Sequence, residues 1–380
     1  MSESSLRSVG WRRLVAVSSA VVILMLSVFW LRGNEKPVDP QEWSKTGNFI
    51  VAYGPVFEPY PAWVKNSYYL YSPSGELIDH KVEDGGWWPV SLPTKGGAYL
   101  YFAHSLQQVG VNRATYEHVK YDYTDVYGSS PDGSYAVALL NTSHSGECSY
   151  TAAILKDTGQ TFSHDLPFMP FRVAVGEDHA IAVGYDCPPP GTETKKGFYL
   201  LEPDGSGKEL KLPQGYDIGL VDFPASPVNH LGDGLFEIIE GRKDGNVIHM
   251  KSFEVRVDSQ EAALVTERVT EHKFTLPDDF LVTVMLNHGE GAFIDKSGRV
   301  FIDRRDLSEP EYMGQVEKFE RNDFVPTYTV GDDPKFGIKR DGRLELYRWE
   351  SPDQPILTVN QVRGACWEDV CDLASVSEIM

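Results

Sequence analysis

Cysteine is scarce: the chain has four in 380 residues. That is too few for a fold stapled by disulfides, and no Cys-x2-Cys spacing offers a structural zinc site. Basic charge is scarce as well. Lys and Arg number 35 against 55 Asp and Glu, a formal net charge of -20. Sequence-independent binding of DNA or RNA needs a basic face that displaces counterions, so nucleic acid is excluded as a partner class. Common hydrolase signatures are missing too. There is no Gly-x-Ser-x-Gly elbow, no His-Glu-x-x-His pair and no Gly-rich phosphate loop. Ser72-Pro-Ser-Gly75 only approaches the Ser-x-Asp-x-Gly turn of sialidase-type repeats. Beyond Gly47, no apolar stripe recurs at 3.6 residues over the length of a helix.

What is present is apolar enough to fold, with 41% hydrophobic residues. One apolar run stands out. Leu14 to Leu31 carries no charge, and its 18 residues approach the ~20 that a helix needs to cross a bilayer core. Arg7, Arg12 and Arg13 precede it, while Glu35 and Asp39 offset Arg32 and Lys36 behind it. The positive-inside rule then predicts a cytoplasmic tail at 1–13, a membrane helix at 14–31, a polar stalk at 32–46 and an extracytoplasmic domain at 47–380. Val28-Phe-Trp-Leu-Arg-Gly33 puts bulky residues where signal peptidase needs small ones, which favours a retained signal anchor over a cleaved leader. The expected location is the cell membrane, with one pass and the C-terminal domain outside.

After the stalk, short β-rich runs alternate with Gly, Pro, Asp and Asn clusters. Turns of one kind recur around Gly75, Gly159, Gly205 and Gly298. Turns of a second kind precede buried-looking strands that begin near residues 98, 135, 179, 235, 280 and 335, at a mean spacing of about 47 residues. That period predicts an all-β propeller of four-stranded blades, the second strand of each following the polar turn. Six such strands plus Phe49–Tyr53 give seven blades, with six as the alternative. Leu373–Ile379 is expected to supply the innermost strand of the first blade and so close the ring.

Ser130-Pro-Asp-Gly133 before Ser-Tyr-Ala-Val-Ala-Leu, and Phe198-Tyr-Leu-Leu-Glu-Pro-Asp-Gly205, resemble the two turns of the TolB-type, WD40-like propeller repeat. The resemblance covers residues 130–212 best and implies the propeller fold.

In an oxidising compartment four cysteines pair. Cys366 and Cys371 suit a local clamp, and Cys148 and Cys187 follow the second strands of adjacent blades, so 148–187 and 366–371 are the predicted disulfides. The loops after the predicted second strands carry His104, His144, Asp186, Glu240, His288 and Glu290. Imidazoles and carboxylates ringing a central funnel would hold a divalent metal, the one cofactor the sequence suggests. Against this stands the plainer reading of solvated loop residues at different radii. Trp63, Trp87 and Trp88 fall in an aromatic-rich stretch with Phe57, Tyr60, Tyr68, Tyr69 and Tyr71. Their rings would stack on a glycan, or else pack between blades. The leading expectation is a non-catalytic binding or scaffold protein with a protein or glycan partner. The alternative is a metal-assisted or glycan-directed hydrolase using the His/carboxylate face.

Overall fold

The computed structural model describes residues 48–57, 64–84, 90–102, 105–110, 115–117, 126–142, 149–186, 196–213, 216, 228–245, 247–275, 279–286, 290–304, 309–325, 327–328, 333–340, 343–360 and 372–379. All of them fall within one unit, Pro40–Met380. The predicted tail, membrane helix and stalk lie outside the described residues. Among the described residues, no helix is long and apolar enough to cross a membrane.

The described chain forms seven sheets, antiparallel but for one short pairing, and these are the seven blades of a β-propeller. The first blade holds β1 (Asn48–Phe57), β2 (Val64–Tyr71) and β3 (Leu77–Asp84). The second holds β4 (Ser91–Thr94), β5 (Gly97–Phe102), β6 (Ser105–Gly110) and β7 (Thr115–Glu117). The third holds β8 (Val126–Ser129), β9 (Tyr135–Asn141), β10 (Tyr150–Lys156) and β11 (Thr161–Leu166). The fourth holds β12 (Phe168–Val175), β13 (Ala180–Asp186), β14 (Lys196–Leu201) and β15 (Gly207–Leu210). The fifth holds β16 (Val228–Gly232), β17 (Leu235–Asp244), β18 (Val247–Asp258) and β19 (Ala263–Thr275). The sixth holds β20 (Phe280–Met285), β21 (Gly291–Asp295), β22 (Arg299–Asp303) and β23 (Glu311–Gln315). The seventh holds β24 (Phe324–Val325), β26 (Lys335–Arg340), β27 (Arg343–Arg348) and β28 (Leu357–Asn360), while β25 (Thr327–Tyr328) leaves it for the first blade.

The ring closes as the sequence suggests. β29 (Asp372–Ile379) runs antiparallel to β1 and becomes the first strand of the first blade. Its other edge is also taken: Thr327 and Tyr328 of β25 pair in parallel with Val376 and Ser377. The closing strand is therefore bonded on both sides, and the first blade has five strands.

Burial explains the sequence pattern. A second strand lies between two neighbouring blades, so both its faces are apolar: Tyr135 to Leu140 is buried at every position. The fourth strand β11 is partly exposed at most of its positions, and only Leu166 is fully buried. The core consists of wedges between blades. Phe49 and Tyr69 of the first blade meet Leu344 and Val359 of the seventh. Val137 and Ile154 of the third meet Ala182 and Leu201 of the fourth. Each such aliphatic side chain contributes about 1.5–3 kcal/mol when fully buried.

One expected phase is corrected. Phe280–Met285 is the first strand of the sixth blade, and β21 is its second. The Gly298 turn therefore joins the second and third strands, whereas the turns at Gly75, Gly159 and Gly205 join third to fourth. The cause lies one blade earlier. β17, β18 and β19 have 10, 12 and 13 residues. Their extra length delays the sixth blade, so the average period meets its first strand where the second is expected.

Candidate functional site

In an antiparallel blade, the connections from second to third strand and from blade to blade share one face, here called the upper face. The turns from first to second and from third to fourth strand share the lower face. His104 and His144 lie outside the described residues. Asp186 ends β13 at the upper face, with its backbone paired to Phe168. His288 also lies outside the described residues. Glu290, just before β21 on the lower face, pairs with Arg304 at 3.2 Å. Glu240 is not in a loop at all. It lies within β17 and is buried. Among the described residues, no group of three His, Cys, Asp or Glu is arranged to hold a metal. Trp63, Trp87, Trp88, Cys148, Cys187, Cys366 and Cys371 lie outside the described residues.

Of the aromatic stretch, Tyr68, Tyr69 and Tyr71 serve as interior packing. Tyr68 is buried, and its hydroxyl donates to the Tyr101 carbonyl of the second blade at 2.6 Å. Tyr69 and Tyr71 pack toward the seventh blade.

The lower face is built for cohesion. The Ser-Pro-Asp-Gly turn is a structural device. Asp132 Oδ1 accepts from the Ser134 amide at 3.1 Å and from the Ser134 hydroxyl at 2.8 Å. The Gly133 carbonyl accepts from the Lys95 amide of the second blade at 2.8 Å. Asp204 in the fourth blade repeats the local pattern with Ser206. Between the sixth and seventh blades, Arg304 donates to Glu311 at 2.8 Å and to Glu350 at 3.1 Å. Its hydrogen bonds to these carboxylates raise its pKa further, so it is a permanent cation. A second lower-face cluster surrounds Phe236. The His179 and His230 rings lie 5.2 and 5.0 Å from it, and His230 Nε2 is 3.1 Å from Glu177. Burial is the main reason that His179 lies below its ordinary pKa. His230 lowers it further, while Asp178 and Glu177 oppose the shift.

The upper face offers different chemistry between the fourth and fifth blades. A bulge at Phe171 interrupts the pairing of β12 with β13. Phe171 then stacks on Tyr185, with centroids 4.7 Å apart and planes 30° apart. Tyr216, from the connection to the fifth blade, sits edge-on to Phe198 at 5.7 Å and to Phe253 at 5.5 Å. Phe171, Tyr185 and Tyr216 are all half-buried, and Met169 beside them is 43% exposed. Two cations flank this shelf. Arg172 is exposed and donates from Nη1 to the Phe171 carbonyl at 3.0 Å, and Lys251 Nζ lies 4.7 Å from the Phe253 ring centre. Partly exposed aromatic faces with fixed geometry suit ring-shaped, hydroxylated ligands. Sequence reasoning missed this shelf. Phe168-Met-Pro-Phe-Arg172 breaks strict alternation, which is the trace that a bulge leaves, but Tyr185 and Tyr216 join it only through the fold.

No family model and no curated protein matches the sequence. Among solved structures, the β-propeller domain of the Trilobed protease from Pyrococcus furiosus is similar, at 10% identity and a TM-score of 0.46, with 81% of this chain and 92% of that one covered. Apo AztD from Citrobacter koseri is similar at 10% identity and a TM-score of 0.41, covering 88% and 98%. A chain from a study of two prolyl endopeptidases is similar at 13% identity and a TM-score of 0.36. There 89% of this chain but only 46% of that one is covered.

Proposed function

We propose that this chain is a non-catalytic binding propeller of the TolB-like, WD40-like type. An N-terminal signal anchor holds it at the cell membrane, and it takes a glycan on its upper face between the fourth and fifth blades. The observation that carries the reading is the aromatic shelf of Phe171, Tyr185 and Tyr216, half-exposed and braced by stacking. Rings held in place before binding lose little entropy when a sugar lies on them. The location rests on the uncharged run Leu14–Leu31 and the arginines before it. Disulfides 148–187 and 366–371 would follow from that compartment.

The test is a glycan array probed with the full-length chain beside its Phe171→Ala and Tyr185→Ala variants. Binding that both variants lose supports the reading. Binding that neither loses places the site elsewhere, and turnover of a bound glycan would make the chain a hydrolase instead. The location is tested by alkaline extraction of membranes. The chain should stay with the lipid, and release into the supernatant would remove the anchor.

A further inference from the structure

The outermost strand of a propeller blade leaves one edge unpaired, and most such edges here are short. The fourth strands of the other six blades have 3 to 8 residues, whereas β19 in the fifth has 13. It ends its sheet. Among the described residues, its outer edge is bonded backbone to backbone only at its start. There the Leu264 amide donates to the Lys211 carbonyl at 2.9 Å, and the Ala262 carbonyl accepts from the Lys211 amide at 2.8 Å. β16 pairs with β17 no further up than Val228 and Ile238, while β17, β18 and β19 continue to Asp244, Val247 and Thr275. Val269 stands level with the end of β16, through Phe253 and Ile238, so Val269 to Thr275 rises past the blade's own first strand.

Register shows which groups of this segment point outward. Leu264 points outward, because its amide reaches Lys211, and it lies opposite Val257. Backbone direction alternates along β18, so the β19 residues opposite Val255, Phe253, Lys251, His249 and Val247 point outward as well. Beyond the bulge these are Val269, Glu271, Lys273 and Thr275, and their side chains share one face. Val269 is 47% exposed, one of five large apolar side chains so placed among the described residues, and Val265 on the same strand is another. Glu271, Lys273 and Thr275 are exposed too. In a chain of net charge -20 this segment is locally neutral, with one carboxylate and one ammonium group.

Charged residues on an outer edge ordinarily keep other strands away. Glu271 and Lys273 do the reverse when the incoming strand is a copy of β19. Two identical strands paired antiparallel are related by a two-fold axis. An axis through Glu271 opposes two carboxylates, and one through Lys273 opposes two ammonium groups. Like charges directly opposed across strands destabilise the pair. An axis through His272 instead sets Glu271 of each copy opposite Lys273 of the other, and Val269 opposite Thr275. All four positions then turn their outward amides and carbonyls toward one another.

We propose that β19 is a homodimerisation edge. Two copies of this chain pair antiparallel over Val269 to Thr275 with the axis at His272, joining two fifth blades into one continuous sheet. The proposal is independent of the glycan reading. Seven residues a side is well short of the roughly 20–30 that a stable interface uses. The acidic surface around the edge adds repulsion between copies. The dimer is therefore weak and forms at high local concentration.

The experiment is sedimentation velocity of the full-length chain in detergent micelles, from low micromolar to near-millimolar protein. The comparisons are Glu271→Lys and the exchange variant Glu271→Lys/Lys273→Glu. The expected result is a monomer–dimer equilibrium of the parent, at least tenfold weaker for Glu271→Lys and restored to within about threefold by the exchange. At low concentration all three should melt alike, since both side chains are exposed. Oxidative crosslinking reads the register. Position 272 stands opposite itself, so His272→Cys should form an intermolecular disulfide that the parent and Val269→Cys do not. A crosslink from Val269→Cys, or none from His272→Cys, overturns the register and the proposal with it. A parent that stays monomeric throughout also overturns it, and leaves the edge to an extended segment of another protein. So does association that Glu271→Lys leaves unchanged or that the exchange fails to recover, which would run through another surface.

Discussion

The Tyr99 hydroxyl in the second strand of the second blade donates to the Lys156 carbonyl at 2.7 Å, holding the last turn of the third blade. Gln108 Nε2 reaches the next carbonyl, Asp157, at 3.0 Å. Two side chains of one blade thus bond to the backbone of its neighbour, although van der Waals packing alone would let the blades slide. Tyr99→Phe keeps the ring and removes the bond. It should lower stability by about 1–2 kcal/mol, read as a reduced urea midpoint with unchanged slope. An unchanged midpoint would mean that water replaces the hydroxyl at no cost.

Gly298 has φ +77°, and a Cβ there would lie 2.0 Å from the Val316 carbonyl oxygen. Neither the backbone angle nor the space admits a side chain. Gly298→Ala should cost more than about 2 kcal/mol through strain and overpacking. Thermal melting of the variant checks this, and a loss below about 1 kcal/mol would contradict the turn geometry.

Val376 pairs with Val51 on one side and with Thr327 on the other. Val376→Pro deletes its amide donor in the strand that closes the ring. The expected loss is ~3 kcal/mol or more, with faster hydrogen exchange in β1 and β25 together. Exchange accelerated in β1 alone would show that β25 is held independently of the closing strand.

Acid should act in two separate windows. Folding keeps His179 below its ordinary 6.5, chiefly by burial, so the unfolded chain takes up its proton first. Its contribution is intact above pH 6.5 and is lost as pH falls below that value. Burial alone would raise the Asp132 carboxyl, but hydrogen bonds from Ser134 and Ser130 and the Lys95 charge hold it below 3.8. That contribution persists above pH 3.8 and is lost only at lower pH. His179→Leu should therefore flatten the dependence of the urea midpoint on pH between 7.5 and 5 while leaving the steeper acid limb. An unchanged slope in the upper window would assign it to other histidines.

Much of the fold was legible because a propeller is periodic. The second strands at 98, 135, 179, 235 and 335 carry doubly buried runs after polar turns, and five of the six assigned phases match the sheets. The sixth fails at Phe280 because local apolarity marks a strand without saying which strand of a blade it is. The site was far less legible. Reading loops by phase put Glu240, Glu290 and His288 on the upper face. Glu240 is a strand residue, Glu290 is tied to Arg304 on the lower face, and His288 lies outside the described residues.

By itself the sequence determined the all-β class, the blade period, the joining of the chain's C-terminal strand to its first and an acidic surface. Each is set by local composition or by repetition, which survive without knowledge of distant contacts. Only the tertiary structure decided that β25 grips the closing strand, that Phe171, Tyr185 and Tyr216 share a shelf, and that Val269, Glu271 and Lys273 share the outer edge of β19. These depend on bulges and on cross-strand register. A shift of one residue turns a side chain to the opposite face and leaves composition unchanged.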